Sequence, residues 1–299
     1  MASHASFPAA DIAAAVGSKP VWHERVAGGG YGTNTVRWRV AFEDSRRAFV
    51  KRAVDKLAVD WLRREHNVYQ SIVGPFLPTL LGWHDQRDAT LLVVEDLSDA
   101  DWPPPWRPEW IDAVLTTLDA VHTTMPPSGV DSLESMRDML DGWPRIAADP
   151  VPFLSLGLCS PEWLEGALST LSAASAECSL VGDAFLHLDV RSDNLCIRAG
   201  RAILVDWNWA AVGNPLIDVV AWLPSLRLEG GPEPWKIVPD SGGLAALVAG
   251  YFSAFAGLPA PATAPNVRGI QKRQAEVALP WAARELGLPL PARSVDSSS

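Results

Sequence analysis

Cysteine is scarce: Cys159, Cys178 and Cys196 are the only three in 299 residues, odd in number and far apart. That count excludes the disulfide framework of a small secreted domain, and the spacing offers no paired metal-ligand motif. The three are expected to be reduced core thiols of a cytoplasmic protein. Basic residues are outnumbered too, 25 Lys and Arg against 35 Asp and Glu, for a formal net charge of −10. This balance argues against a nucleic acid or an anionic membrane as the main partner. A cationic small molecule suits the surplus acid, which also serves solubility alone. No apolar run reaches the roughly eighteen residues of a membrane helix. The opening MASHASFPAADIAAAVG lacks a basic leader segment and is interrupted by Pro8 and Asp11. A soluble, unexported chain is the expectation.

What is present is enough chain for one bilobal enzyme or two compact units. After a short helical candidate, β-branched and aromatic residues alternate in VWHERVAGGGYGTNTVRWRVAFEDSRRAFVKRA around a glycine-rich turn at 28–32 and an acidic turn at Glu43 and Asp44. This predicts an antiparallel meander of three strands. Val59, Leu62, His66 and Tyr69 recur at helical spacing, and FLPTLLGWH and ATLLVVEDL read as two further strands. SDADWPPPWRPEW, with four prolines and three tryptophans, excludes regular structure over most of its length. It reads as a packed interlobe linker or as a rim of a substrate cleft. Beyond it the pattern is mainly helical. Ile111, Val114, Leu115, Leu118 and Val121 share one face, Ser160 is placed as an N-cap, and GLAALVAGYFSAFAG is apolar nearly all round, the mark of a buried helix. The tail, 290–299, reads as disordered.

The densest polar segment is LHLDVRSDNLCIRAGRAILVDWNWA, residues 186–210. His187, Asp189 and Asn194 stand as H-x-D-x-x-x-x-N, and Asp206 follows Asn194 by twelve positions at the end of AILV. A hairpin of NLCIR and AILVD turning at Gly200 brings Asn194 and Asp206 to one end. There an amide oxygen and a carboxylate are hard ligands suited to Mg²⁺. Asp189 stands just outside that pair, free to accept a hydroxyl proton, and Arg191 is placed to reach a phosphoryl group. A lone Asp or Asn beside a turn is ordinarily a turn former; the joint pattern is what points to chemistry.

This set resembles the phosphotransferases of the aminoglycoside phosphotransferase and choline kinase type, which share the protein-kinase-like fold. Kinases of that fold combine a catalytic-loop Asp and Asn, a second metal-binding Asp, a Gly-rich loop, a strand lysine and a helix glutamate. The resemblance covers roughly residues 22–225 and implies a bilobal α+β architecture. The N-lobe, 1–97, would hold an antiparallel five-stranded sheet plus a helix; the C-lobe, 98–299, would be mainly helical with a catalytic β-hairpin. Gly29, Gly30, Tyr31 and Gly32 would cover the phosphates of ATP or GTP, and Lys51 would contact them. Glu65, fourteen positions on, would orient Lys51. The backbone from Glu95 to Leu97 would be the hinge against the purine. Asp189 becomes the base, Arg191 the phosphoryl-facing cation, Asn194 and Asp206 the Mg²⁺ ligands, and Asp218 of GNPLIDVVAWL a support of the catalytic loop. One departure stands out: Asp206-Trp207-Asn208 has an amide where many relatives carry a second carboxylate, so Asn208 is left facing metal or acceptor.

Only twelve positions separate Asp206 from Asp218, too few for the platform on which protein kinases bind a peptide. A small hydroxylated acceptor is therefore implied, an antibiotic or amino sugar; a metabolic kinase of choline or sugar type shares every motif. A nucleotide-binding module without catalysis fits less well, since Asp189, Asp206 and Lys51 are all present. Candidates for the acceptor site are Asp193, Asn208, Trp209, Glu229 and Trp235, with Asp99 and Asp101 near the linker. Acid beside tryptophan suits a cyclic cation. Monomer and homodimer are both compatible with the sequence.

Overall fold

The computed structural model describes residues 6–26, 35–86 and 89–291. Gly29, Gly30, Tyr31 and Gly32, expected over the phosphates, lie outside the described residues, as does the tail from 292. Five strands, β1 (Pro20–Val26), β2 (Thr35–Phe42), β3 (Arg47–Ala53), β4 (Leu80–Gln86) and β5 (Ala89–Glu95), form one antiparallel sheet in the order β1-β2-β3-β5-β4. Val36, Trp38, Val40 and Phe42 of β2 and Ala48 and Val50 of β3 share one face and pack with Ile12 of α1 (Ala9–Val16). The two-residue period then sends Arg37 and Lys51, direct cross-strand partners, to the opposite face. A register slip of one residue would bury Lys51 in the α1 core instead. Helix α1 approaches β4 so closely that a Cβ on Gly82 would lie 2.5 Å from the Ala15 carbonyl oxygen.

Helix α2 (Lys56–Ser71) covers the face that carries Lys51. Asp55 caps it, its side chain accepting from the Ala58 N–H at 2.8 Å. The buried stripe runs through Ala58, Leu62, Glu65, Val68 and Tyr69. Val59 and His66, at the same helical spacing, are half-buried, and His66 stacks on Trp83 at 4.2 Å. Glu65, a charged residue, occupies an inward position opposite Lys51.

The C-lobe begins with α3 (Pro108–His122). Short elements follow: β6 (Asp131–Ser132), a 3-10 turn (Leu133–Met136), α4 (Arg137–Leu140), α5 (Trp143–Ala148) and α6 (Val151–Leu154). After α7 (Pro161–Glu177), strand β7 (Ala184–Leu186) leads into the hairpin β8 (Leu195–Arg198) and β9 (Arg201–Leu204). Strand β10 (Ala211–Gly213) pairs with both β6 and β7. Four helices complete the lobe: α8 (Leu216–Leu228), α9 (Pro234–Ile237), α10 (Gly242–Ala256) and α11 (Val267–Glu285). Ser160 caps α7 through the Trp163 N–H, and α10 is buried nearly all round, as its composition implies. One core joins the lobes, with Leu62 and Tyr69 of α2 in the same cluster as Leu118, Phe185, Trp207 and Trp222. The linker is pinned to the hairpin: Asp101 pairs with Ile197, and Leu97 packs on Cys196 and Ile203. The cysteines are free, and no described helix is long and apolar enough to cross a membrane.

The β8–β9 turn places Ala199 and Gly200 at φ 50° and 74°, the two-residue turn whose twist matches its strands. Glycine adopts this region freely, whereas an alanine pays for its Cβ and an asparagine less so. Ala199→Asn is expected to stabilise the protein by about 0.5–1 kcal/mol, raising Tm by about 1–3 °C in thermal denaturation.

Candidate active site

Strand β7 runs into a loop that turns at Leu188, φ 62°, a conformation that is costly for a bulky residue. Fully buried Asp218, in the first turn of α8, holds it there. Its carboxylate accepts from the backbone N–H of His187 at 2.9 Å and of Leu188 at 2.7 Å, and His122 Nε2 lies 3.1 Å away. His187 is buried as well. The Asp189 N–H donates to its Nδ1 at 3.2 Å, so Nε2 carries the proton that is donated to the Val205 carbonyl at 2.9 Å. Burial lowers the His187 pKa, which keeps the ring neutral and in this tautomer. The loop that carries Asp189 is thereby tied to the residue preceding Asp206.

Asn194, buried, donates from Nδ2 to the Asp189 carboxylate at 2.8 Å and to the Asp189 carbonyl at 3.0 Å. Its Oδ1 is left for another ligand. Asp206 has a left-handed backbone, φ 67°, which Asp tolerates better than most residues. Lys51 Nζ donates to its carboxylate at 2.6 Å and to both oxygens of Glu65 at 2.8 and 3.0 Å, and Arg37 lies 3.9 Å from Asp206. The Tyr69 hydroxyl donates to Glu65 at 3.0 Å. Burial pushes the Lys51 pKa down, but the Asp206 and Glu65 carboxylates outweigh it and the net shift is upward. Burial pushes Asp206 up, yet Lys51 and Arg37 bring its carboxyl down to about 2. Both therefore carry their charges at neutral pH.

Burial raises the Asp189 carboxyl pKa, opposed by Arg191. Arg191 is itself held between two carboxylates: Nη1 lies 3.2 Å from Asp189, and Nε and Nη2 donate to Asp193 at 2.8 and 3.1 Å. Its charge thus lies against both loop carboxylates.

These groups line one interlobe cavity of about 540 Å³. Of the expected acceptor residues, Asp193, Asn208 and Trp209 line it. Glu229 and Trp235 do not. Glu229 accepts from the Trp106 indole at 2.8 Å and the Ser192 hydroxyl at 2.7 Å, bracing the loop after Asp189, while Trp235 lies beneath the Arg284 guanidinium. Gly230, at φ 92°, turns the chain after α8. Glu95 and Leu97 are off the cavity too: Glu95 pairs with Arg198 at 2.5 Å, and the Leu97 carbonyl accepts from the Trp102 indole at 3.0 Å. The sequence reading missed Arg37, Met136, Met139, Tyr251 and Phe252, all of which line the cavity. Alternation along β2 was the available signal for Arg37; an all-apolar α10 gave none for Tyr251 and Phe252.

Among the described residues no group of three or more His, Cys, Asp or Glu is placed to hold a metal. The donor set is one carboxylate and one amide oxygen. That fits Mg²⁺, which keeps several waters and takes further ligands from substrate phosphates.

No family model matches the chain, and no curated protein matches it. Solved structures do. A thermostable mutant of an aminoglycoside phosphotransferase is 16% identical, with a TM-score of 0.59 over 93% of this chain and 97% of its own. A choline/ethanolamine kinase family protein from Mesorhizobium loti is 13% identical, with a TM-score of 0.60 over 89% and 91%. A macrolide 2′-phosphotransferase from Brachybacterium faecium is 14% identical, with a TM-score of 0.54 over 94% and 97%. The chain has the bilobal kinase-like fold of these proteins.

Proposed function

We propose that this protein is a small-molecule kinase that transfers the γ-phosphoryl group of ATP or GTP to an alcohol, the acceptor being of antibiotic or amino-sugar type. A shared fold does not by itself carry an activity. The observation that carries the reading is the convergence, in one cavity, of Lys51 bridging Glu65 and Asp206 with Asp189 held by Asn194. Structures of two fold neighbours hold nucleotide: an aminoglycoside phosphotransferase with ADP and hygromycin B, and an amicoumacin kinase with AMP-PNP. The three free thiols fit a reducing compartment such as the cytoplasm.

Asn194 and Asp206 would hold Mg²⁺, which supplies charge neutralisation at the phosphate oxygens. Lys51, kept cationic by its two carboxylates, binds the nucleotide phosphates, and Glu65 fixes its direction. Asp189 orients the acceptor hydroxyl and takes its proton. The acceptor oxygen forms a bond to the γ-phosphorus as the bond to the β–γ bridging oxygen breaks, and the electron pair leaves with the nucleoside diphosphate. Positioning and electrostatics supply the catalysis, and no covalent enzyme intermediate is needed.

Only the ionised form of Asp189 accepts a proton, so kcat/KM is expected to rise with pH through its raised pKa. Arg191 favours that ionised form; Arg191→Ala should therefore move the acid limb of the profile to higher pH. The activity itself is tested by incubating the protein with Mg-nucleotide and panels of aminoglycosides, nucleoside antibiotics, sugars and amino alcohols, with mass spectrometry of the acceptors. A gain of one phosphoryl group on an acceptor is expected. Absence of any phosphorylated product contradicts the reading.

A further inference from the structure

We propose, on the reading that this cleft holds a kinase acceptor, that the acceptor is a hydroxylated molecule with a bulky apolar body and at most one positive charge, and not a polycation. The carboxylates lining the cavity are Glu65, Asp189, Asp193 and Asp206, facing the cations Arg37, Lys51 and Arg191. All four acids are already paired. Lys51 holds Glu65 and Asp206 at 2.8 and 2.6 Å, and Arg191 holds Asp189 and Asp193 at 3.2 and 2.8 Å. The four acids and three bases leave the wall close to neutral, so the chain's formal charge of −10 is carried mostly elsewhere. An acceptor rich in ammonium groups would bring several of them out of water against carboxylates already shared with Lys51 and Arg191, which is costly.

The remaining wall is apolar and comes from both lobes. Leu57 and Trp61 of α2 lie on one side; Met136 just before α4, Met139 within it, Phe252 of α10 and Val267 of α11 line the others. Leu57 is 50% exposed, an apolar side chain that a bound molecule would cover. Trp and Phe offer flat faces, and methionine adapts to irregular apolar shapes. One polar point on this side suits an acceptor oxygen: Gln271 accepts from Arg268 through Oε1 at 2.8 Å, which leaves its amide N–H groups to donate. The cavity's volume is in the range that holds drug-sized ligands.

The test compares naphthyl β-glucoside and a monocationic macrocyclic glycoside with kanamycin, a polycation, using the full chain with Mg-ATP for turnover and isothermal titration for equilibrium binding. The apolar-bodied members are expected to show kcat/KM and affinity at least about tenfold above kanamycin. Met139→Ala should raise their KM by about tenfold, the cost of losing the apolar contact of a half-buried side chain that a bound acceptor covers, with nucleotide Kd unchanged. Met139→Glu should shift the preference toward kanamycin. Kanamycin preferred by the unaltered protein, or acceptor KM indifferent to both Met139 changes, would overturn the proposal. If no acceptor is phosphorylated, the kinase reading fails separately. Binding then still decides: apolar members bound more tightly than kanamycin uphold the acceptor class, and the reverse order refutes it.

Discussion

Asp189→Asn is expected to lower kcat by about 10²–10⁴-fold, the usual contribution of a positioned general base, while Mg-nucleotide binds with unchanged affinity. Asparagine keeps the size of the side chain and can still accept from Asn194 Nδ2, which lies 2.8 Å from the present carboxylate. Arg191 retains Asp193 as a partner, and the loop retains its tie to Asp218. The change thus removes the proton acceptor and leaves the site otherwise assembled. Steady-state kinetics beside nucleotide titration separates the two effects. Transfer that continues at the original rate would mean that the hydroxyl proton leaves by another route.

Asp218→Ala should have the largest effect on stability, about 3–5 kcal/mol, measured by chemical denaturation. The substitution strips the acceptor from the buried backbone N–H of His187 and the part-buried one of Leu188, and removes the side-chain partner of His122. It also removes what holds Leu188 in the left-handed region, so the residual folded protein should lose activity beyond the loss in stability. Asp218→Asn is expected to fall between, because an amide keeps one acceptor oxygen but aims its N–H₂ group at a donor. A loss below about 1 kcal/mol for the alanine variant would show that the loop is held by something other than this carboxylate.

The β8–β9 hairpin was legible because its groups are close in sequence: a short turn at Ala199 and Gly200 suffices to bring Asn194 beside the residue preceding Asp206. Lys51 and Glu65 were legible for a related reason, one strand and one helix being joined by a tight connection capped at Asp55. Even there the apolar spacing located α2 but not Glu65, a charged residue at an inward position that a hydrophobic stripe cannot reveal. The far side of the cleft was not legible. Its wall comes from α4, α10 and α11, which are distant in sequence, and which face of an all-apolar helix borders a cavity is set by tertiary packing. Glu229 and Trp235 illustrate the same limit. Acid and tryptophan have the right chemistry for an acceptor site, but Glu229 is engaged by Trp106 and Ser192, and Trp235 by Arg284.

The central claim is that Lys51, Asn194 and Asp206 form a Mg-nucleotide phosphate site, and it can be tested without knowing the acceptor. AMP-PNP is titrated into the protein by calorimetry with and without Mg²⁺, and again into Asp206→Asn. Binding is expected to be at least about tenfold tighter with the metal, and that gain should vanish in the variant, as loss of a metal ligand demands. Equal affinity with and without Mg²⁺, or a variant that keeps the full gain, would contradict the account.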